Sequence, residues 1–335
     1  MDCRVTFSID DDTWCFGAPE WPHWPLADGG ARCSSRLKRC HRFRDDAIHL
    51  RDGRRLAYAE WGEPGGDAVF FFHGTPHSRL WCPDEGITAS SQVRLVTVDR
   101  PGIGGSDVLP RRSFSTWPND VVELADTLRI DEFGVVGWSG GGPYAAACAA
   151  QIPARLTGVG IACSRHLSQF NIVENPAAYK ELEASDRDLF ELAGKDPDAA
   201  AQAAAEADRE QVQELWERPE TVLDGYEIPD GDRWFFEDPV RRRSFLEAVR
   251  ESVRQGPEAF AWEDIDVFLP WGFRLAEIAI EVHVWHGEQD TIVRRSHIDF
   301  IVQTLPNARL TVWQDAAHQG IVGHWGEILE AVTPH

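Results

Sequence analysis

Short apolar runs alternate with amphipathic stretches through the first half of the chain. Ala68-Val69-Phe70-Phe71-Phe72 is apolar at every position, the pattern of a strand buried on both faces. Arg94–Val98, Glu132–Val136 and Leu156–Ala162 repeat that pattern with small variations. Between them, Val121, Leu124, Ala125 and Leu128 fall at i, i+3, i+4 and i+7 and predict a helix. The alanine-rich run Pro143–Ala150 predicts another. Upstream, Ala47–Leu50 and Leu56–Trp61 flank Asp52-Gly53 and read as two strands around a turn. Strands that alternate with helices imply an α/β fold, a mostly parallel central sheet flanked by helices. The alternation stops at about Ser164. From there to Ala279 the pattern is mostly helical, with Leu182 and Leu189 on one face, Val212, Leu215 and Trp216 on another, and Phe245, Val249 and Val253 on a third. So long a gap is not a loop, and it predicts a helical lid inserted over the sheet. The alternation then resumes with a strand at Ile280–Trp285, a helix marked by Ile298, Ile301 and Val302, a strand at Leu310–Trp313 and a last helix marked by Trp325, Ile328, Leu329 and Val332. The expected division is an extension over residues 1–44, a core over 45–163 and 280–335, and a lid over 164–279. The extension shows no periodicity and is expected to pack on the body or to be partly disordered.

Charge narrows the range of partners. The chain of 335 residues carries 33 basic and 55 acidic side chains, a net charge of −22. Between Glu174 and Asp238 there are 20 acidic and 6 basic residues, so the acidity concentrates in the lid. Such a field repels nucleic acid and anionic membranes, which leaves a small molecule as the expected partner. No apolar run is long enough to span a bilayer. Met1–Asp12 is acidic and lacks the apolar centre of a signal peptide, so a cytoplasmic location is expected. The seven cysteines include no C-x-x-C pair and read as free thiols. Neither a metal nor another cofactor is expected. The pattern carries no information on oligomeric state.

Candidate chemistry lies where the strands end. In a parallel sheet the loops after the strand C-termini converge on one edge, where ligands bind. Gly137-Trp138-Ser139-Gly140-Gly141 turns a strand sharply into a helix, and the glycines remove side chains that would collide there. The strand at Ala68–Phe72 ends in His73-Gly74-Thr75-Pro76, and the strand at Ile280–Trp285 ends in His286-Gly287-Glu288-Gln289-Asp290. The last strand ends in Asp315-Ala316-Ala317-His318. A nucleophile, an acid and a histidine therefore meet on one rim, in chain order Ser139, Asp290, His318.

Those loops, together with Asp99-Arg100-Pro101-Gly102-Ile103-Gly104-Gly105-Ser106, make residues 45–333 resemble the α/β-hydrolase superfamily, in its lid-containing serine hydrolase branch. The resemblance implies that His318 takes the Ser139 proton and that Asp290 orients the imidazole. The family's G-x-x-D spacing from Gly287 selects Asp290 over Glu288. It also implies that the N–H groups of Gly140 and Thr75 form the oxyanion hole. His324, at the start of the last helix, is read as structural. His73, Asp99, Arg100 and Asp107 are read as loop architecture, and Asp315 as surface. Trp138, Trp234, Phe268 and Trp271 are candidate substrate contacts. The expected reaction is hydrolysis of a small apolar or aromatic carboxylic ester or lactone through an acyl-enzyme. A C–C bond hydrolase, a peptidase-like enzyme, an acyltransferase or cyclase, and a receptor-like ligand binder of the same fold are the alternatives. The acidic lid is expected to disfavour anionic substrates.

Overall fold

A computed structural model describes residues 43–334. The extension expected over residues 1–44 lies outside the described residues except for its last two. Eight strands form one sheet: β1 (Arg44–His49), β2 (Arg55–Gly62), β3 (Asp67–Phe72), β4 (Val93–Val98), β5 (Phe133–Trp138), β6 (Leu156–Ala162), β7 (Val282–Gly287) and β8 (Ala308–Trp313). Their spatial order is β1-β2-β4-β3-β5-β6-β7-β8. β1 and β2 pair antiparallel at one edge, β2 joins β4 antiparallel, and every other pairing is parallel. This is the α/β architecture expected from the alternation. β7 starts two residues later than the pattern suggests and runs on to Gly287, because that residue still pairs with Trp313 of β8. A short helix, Glu85–Ser90, was not expected; the Asp84 side chain caps it by accepting from the Ile87 N–H at 2.8 Å.

The continuous apolar runs are explained by two cores, one on each face of the sheet. Phe70, Phe72, Val96 and Val135 point to one face, where Val121, Leu124 and Ala125 of the helix Trp117–Leu128 meet them. Val69, Phe71, Leu95 and Val136 point to the other, against Ile328, Leu329 and Val332 of the helix Trp325–Val332. Successive residues of a strand alternate between faces, so a strand covered on both sides must be apolar throughout.

β3 has β4 on one side and β5 on the other, so the chain changes direction across the sheet at this pair. Phe72 stands opposite Gly137 in the β3–β5 register. The loops that leave those two strands therefore run side by side at the switch point, where a crevice opens. Between β6 and β7 the structure contains helices and no strand. The helices Pro197–Ala207 and Pro239–Ser252 begin at Asp196 and Asp238, whose carboxylates cap their first N–H groups. Leu182, Val212, Leu215, Phe245, Val249 and Val253 of this insertion are buried, as their spacing predicts, whereas Leu189 and Trp216 are partly covered. No helix among the described residues is long and apolar enough to cross a membrane.

Candidate active site

Ser139 follows β5 directly and has a φ of 51°, in the left-handed region. A non-glycine residue there is strained and persists only where its surroundings enforce it. Two glycines permit the turn. A Cβ at Gly137 would strike the Gly141 carbonyl, and one at Gly141 would strike the Phe72 carbonyl. Ser139 is half-buried and opens onto a cavity of about 760 Å³.

Asp290 and His318 come from the loops after β7 and β8. His318 donates from Nδ1 to Asp290 Oδ2 at 2.9 Å. The Ile292 and Val293 N–H groups donate to Asp290 Oδ1, each at 2.9 Å. Burial pushes the Asp290 carboxyl upward, but His318 and the backbone amide outweigh it and hold the group below its ordinary value. Asp290 therefore stays an anion beside the imidazole. Trp138 Nε1 donates to the His318 carbonyl at 3.2 Å, which fixes that loop over the elbow. His318 and Ser139 both line the cavity.

The competing residues sit elsewhere. Glu288 faces Arg295 at 3.6 Å on the surface. His324 stacks on Trp313 at 4.4 Å and lies 3.5 Å from Glu327. Asp315 is exposed, and His73 is buried with Nδ1 2.8 Å from the Gly74 carbonyl. Cys163, His286 and Asp290 bring ligand-type atoms within 4.8 Å of one another, the one such group among the described residues. The Asp290 oxygens are already taken by His318 and two amides, so these three fit packing behind the acid better than an ion.

The two residues expected at the oxyanion hole are neighbours. A Cβ on Gly140 would strike Thr75 Oγ1 and lie 3.3 Å from the Thr75 nitrogen. Gly140 stands in the first turn after β5, where N–H groups lack intrahelical partners. A buried ionic cluster grips the Thr75 loop from behind. Arg100 donates to the His73 carbonyl at 2.6 Å and to the Gly74 carbonyl at 3.2 Å. Glu263 pairs with both Arg100 and Arg112 and accepts from Thr75 Oγ1 at 2.6 Å. Asp266 accepts from Arg112 at 2.9 Å and from the Tyr144 hydroxyl. Burial raises the Glu263 carboxyl, yet the two guanidinium groups outweigh that and hold it well below its usual range. Arg100, expected as loop architecture, has that role, bonding to His73, Gly74 and Thr75. Glu263 was not singled out from the sequence. Its signal is an acid set directly among Phe260, Ala261, Trp262 and Ile265, all buried and apolar.

The insertion is tied to the loops after β7 and β8 as well. Both Asp232 oxygens accept the Gln319 N–H, at 2.9 and 3.0 Å, next to His318. The Gly231 N–H donates to Gln289 Oε1 at 2.9 Å, next to Asp290. Burial pushes the Asp232 carboxyl up to about 6.

Of the four candidate substrate contacts, Trp138 and Phe268 line the cavity. Trp234 and Trp271 do not, and this corrects the expectation. Trp234 is exposed, donates to the Gly231 carbonyl at 2.8 Å and lies beneath Arg241. Trp271 packs on Phe114 at 5.0 Å and completes the core under the helix Trp117–Leu128. Periodicity marks a side chain as inward, but both a core and a cavity wall satisfy it.

The sequence model of one family, described as alpha/beta hydrolase fold, matches residues 67–324. An uncharacterized hydrolase of Saccharomyces cerevisiae is 26% identical over 136 residues, 40% of this chain and 43% of the relative. A 3-oxoadipate enol-lactonase of Acinetobacter baylyi is 33% identical over 97 residues, 28% of this chain and 36% of the relative. The matched part thus spans less than half the length of each curated relative. Among solved structures, an esterase from Exiguobacterium antarcticum superposes with a TM-score of 0.58 at 16% identity, covering 85% of this chain and 96% of its own.

Proposed function

The chain belongs to the alpha/beta hydrolase fold family, and from that premise we propose that it is a serine hydrolase of small apolar or aromatic carboxylic esters or lactones. Ser139 attacks the carbonyl carbon while His318 accepts its proton at Nε2. Asp290 holds the Nδ1–H and stabilises the imidazolium that forms. The tetrahedral oxyanion lies against the N–H groups of Gly140 and Thr75. Its collapse breaks the ester C–O bond, and His318 returns the proton to the departing alcohol oxygen. Water, deprotonated by His318, then releases the acid from Ser139.

The observation that carries this reading is the Asp290–His318 hydrogen bond, with His318 and a serine held at positive φ lining one cavity. The cavity walls include Phe170, Phe236, Phe245 and Phe268, which suit an apolar or aromatic substrate. All four side chains come from the insertion, which in this reading is the lid. The names of the esterase and the enol-lactonase agree with ester or lactone chemistry. The test is turnover of p-nitrophenyl acetate and butyrate, with fluorophosphonate labelling. Both are expected in the full-length protein, and both are expected to vanish in Ser139→Ala. Turnover that survives this substitution overturns the assignment.

A further inference from the structure

The cavity wall carries several acids, and most are already accounted for. Glu263 and Asp266 are neutralised by Arg100 and Arg112. Asp208 and Asp264 hydrogen-bond to each other, and burial with the Asp208 charge pushes Asp264 well above the carboxylate range. Asp188 is exposed and screened by solvent. Arg165 is different. It is the single lysine or arginine among the lining residues. Among the described residues, no carboxylate stands within ion-pair distance of it. Burial lowers its pKa, and the more distant Asp186, Asp290 and Glu183 do not restore it. Arg165 is partly exposed, and even a partly desolvated cation without a bonded partner is costly unless something else supplies the anion.

The position of Arg165 is suited to a ligand. It stands in the turn just after β6, two residues past Cys163 and near enough to Asp290 to feel its charge. It shares the cavity with Ser139 and His318. Its neighbour His166 is pulled down to about 3 by burial and by the Arg165 charge, so it is neutral. His166 Nδ1 and both ring nitrogens of His77, another lining residue, are buried without a hydrogen-bond partner. Beside apolar walls the cavity thus offers one guanidinium fork and neutral imidazoles.

We propose that Arg165 is a carboxylate-binding subsite, and that the natural ester or lactone bears a carboxylate away from its scissile carbonyl. This rests on the serine hydrolase reading above and narrows its substrate class. A planar guanidinium matches a carboxylate with two parallel hydrogen bonds. The acidity of the whole chain does not oppose this, because exposed charges are screened beyond about 8 Å at physiological ionic strength. The opposing acid within the cavity is Asp186.

The experiment compares matched substrates on the full-length protein. Para-acetoxybenzoate and its methyl ester place the charge on the leaving group. The mono-p-nitrophenyl ester of terephthalic acid and its methyl ester place it on the acyl group. In at least one pair kcat/KM favours the anion, and Arg165→Gln reduces that preference by about 30-fold, chiefly through KM, as expected for one charge-assisted pair. Arg165→Lys, which keeps the charge without the fork, retains part of it. Equal turnover within both pairs, or an equal loss for charged and neutral members in Arg165→Gln, overturns the proposal. So does a preference for a trimethylammonium analogue. Should no ester be turned over, the serine hydrolase reading fails and the subsite is decided separately by calorimetry with benzoate and benzamide. Benzoate binding weakened at least tenfold by Arg165→Gln upholds the subsite, and unchanged binding removes it.

Discussion

Both Asp290 oxygens are engaged, Oδ2 by His318 and Oδ1 by two backbone amides. Asp290→Asn keeps the shape but presents an amide that favours the wrong imidazole tautomer. In the proposed mechanism kcat then falls by up to ~10⁴, with the circular dichroism spectrum unchanged. Glu288→Gln, on the surface beside Arg295, leaves kcat within about twofold of the parent, since exposed pairs contribute little. A second residue-scale effect comes from Asp232, raised by burial from 3.8 to about 6. The folded state then holds this proton more tightly than the unfolded chain does. Its contribution to stability is fully present below the unfolded pKa and is lost as pH rises through about 6. Between pH 5.5 and 7.5 the parent is expected to lose about 1 kcal/mol relative to Asp232→Asn. Urea titrations of both proteins at the two pH values measure it, and a difference of opposite sign rules out a raised Asp232.

At the scale of elements, two helices of the insertion hold three loops of the candidate site. The helix Asp230–Glu237 bonds to the loops after β7 and β8 through Gly231 and Asp232. The helix Pro257–Ile265 reaches the loop after β3 through Glu263. That second link contributes to catalysis only if the Thr75 N–H must be held in place. Thr75→Val keeps the N–H and the methyl but removes the hydroxyl that joins the loop to Glu263. It is expected to lower kcat about 10- to 100-fold with little change in KM, as loosening one oxyanion donor should. Steady-state kinetics on a p-nitrophenyl ester read the split, and a change confined to KM places Thr75 in ground-state binding instead. Glu263→Gln acts more on the fold. It leaves the buried Arg100 guanidinium without its carboxylate and Arg112 with Asp266 alone, and a loss of about 3–5 kcal/mol is expected by urea denaturation.

For the whole molecule, a net charge of −22 makes self-repulsion a general destabilising force. Added sodium chloride screens it, so the melting temperature is expected to rise from low to physiological ionic strength. Scanning fluorimetry over a salt series checks this, and a steady fall would show that attractive ion pairs dominate instead. The same charge bears on substrates through two different ranges. Surface carboxylates steer the encounter over long distances and are weakened by salt. The contact proposed for Arg165 is a direct one, so its effect is expected to weaken less when salt is added.

The strands and the loops that leave them were legible in the sequence because their causes are local. A strand covered on both faces must be apolar at every position, which betrayed β3 to β6. A turn from strand to helix at Ser139 needs glycine at Gly137 and Gly141, since carbonyl oxygens occupy the space of a Cβ. Helical periodicity likewise marked the inward faces of the insertion. Contacts between distant segments were not legible, because spacing along the chain does not say which buried face meets which. The pairing of Arg100 with Glu263 joins residues 163 positions apart. It depends on how the insertion folds back over β3, as does the link from Asp232 to the His318 loop. Trp234, Phe268 and Trp271 look alike as inward aromatics, yet only the packed chain distinguishes a surface stack, a cavity wall and a core. The lone position of Arg165 is of the same kind, since an arginine is free or paired only by what the tertiary structure sets within reach of its guanidinium.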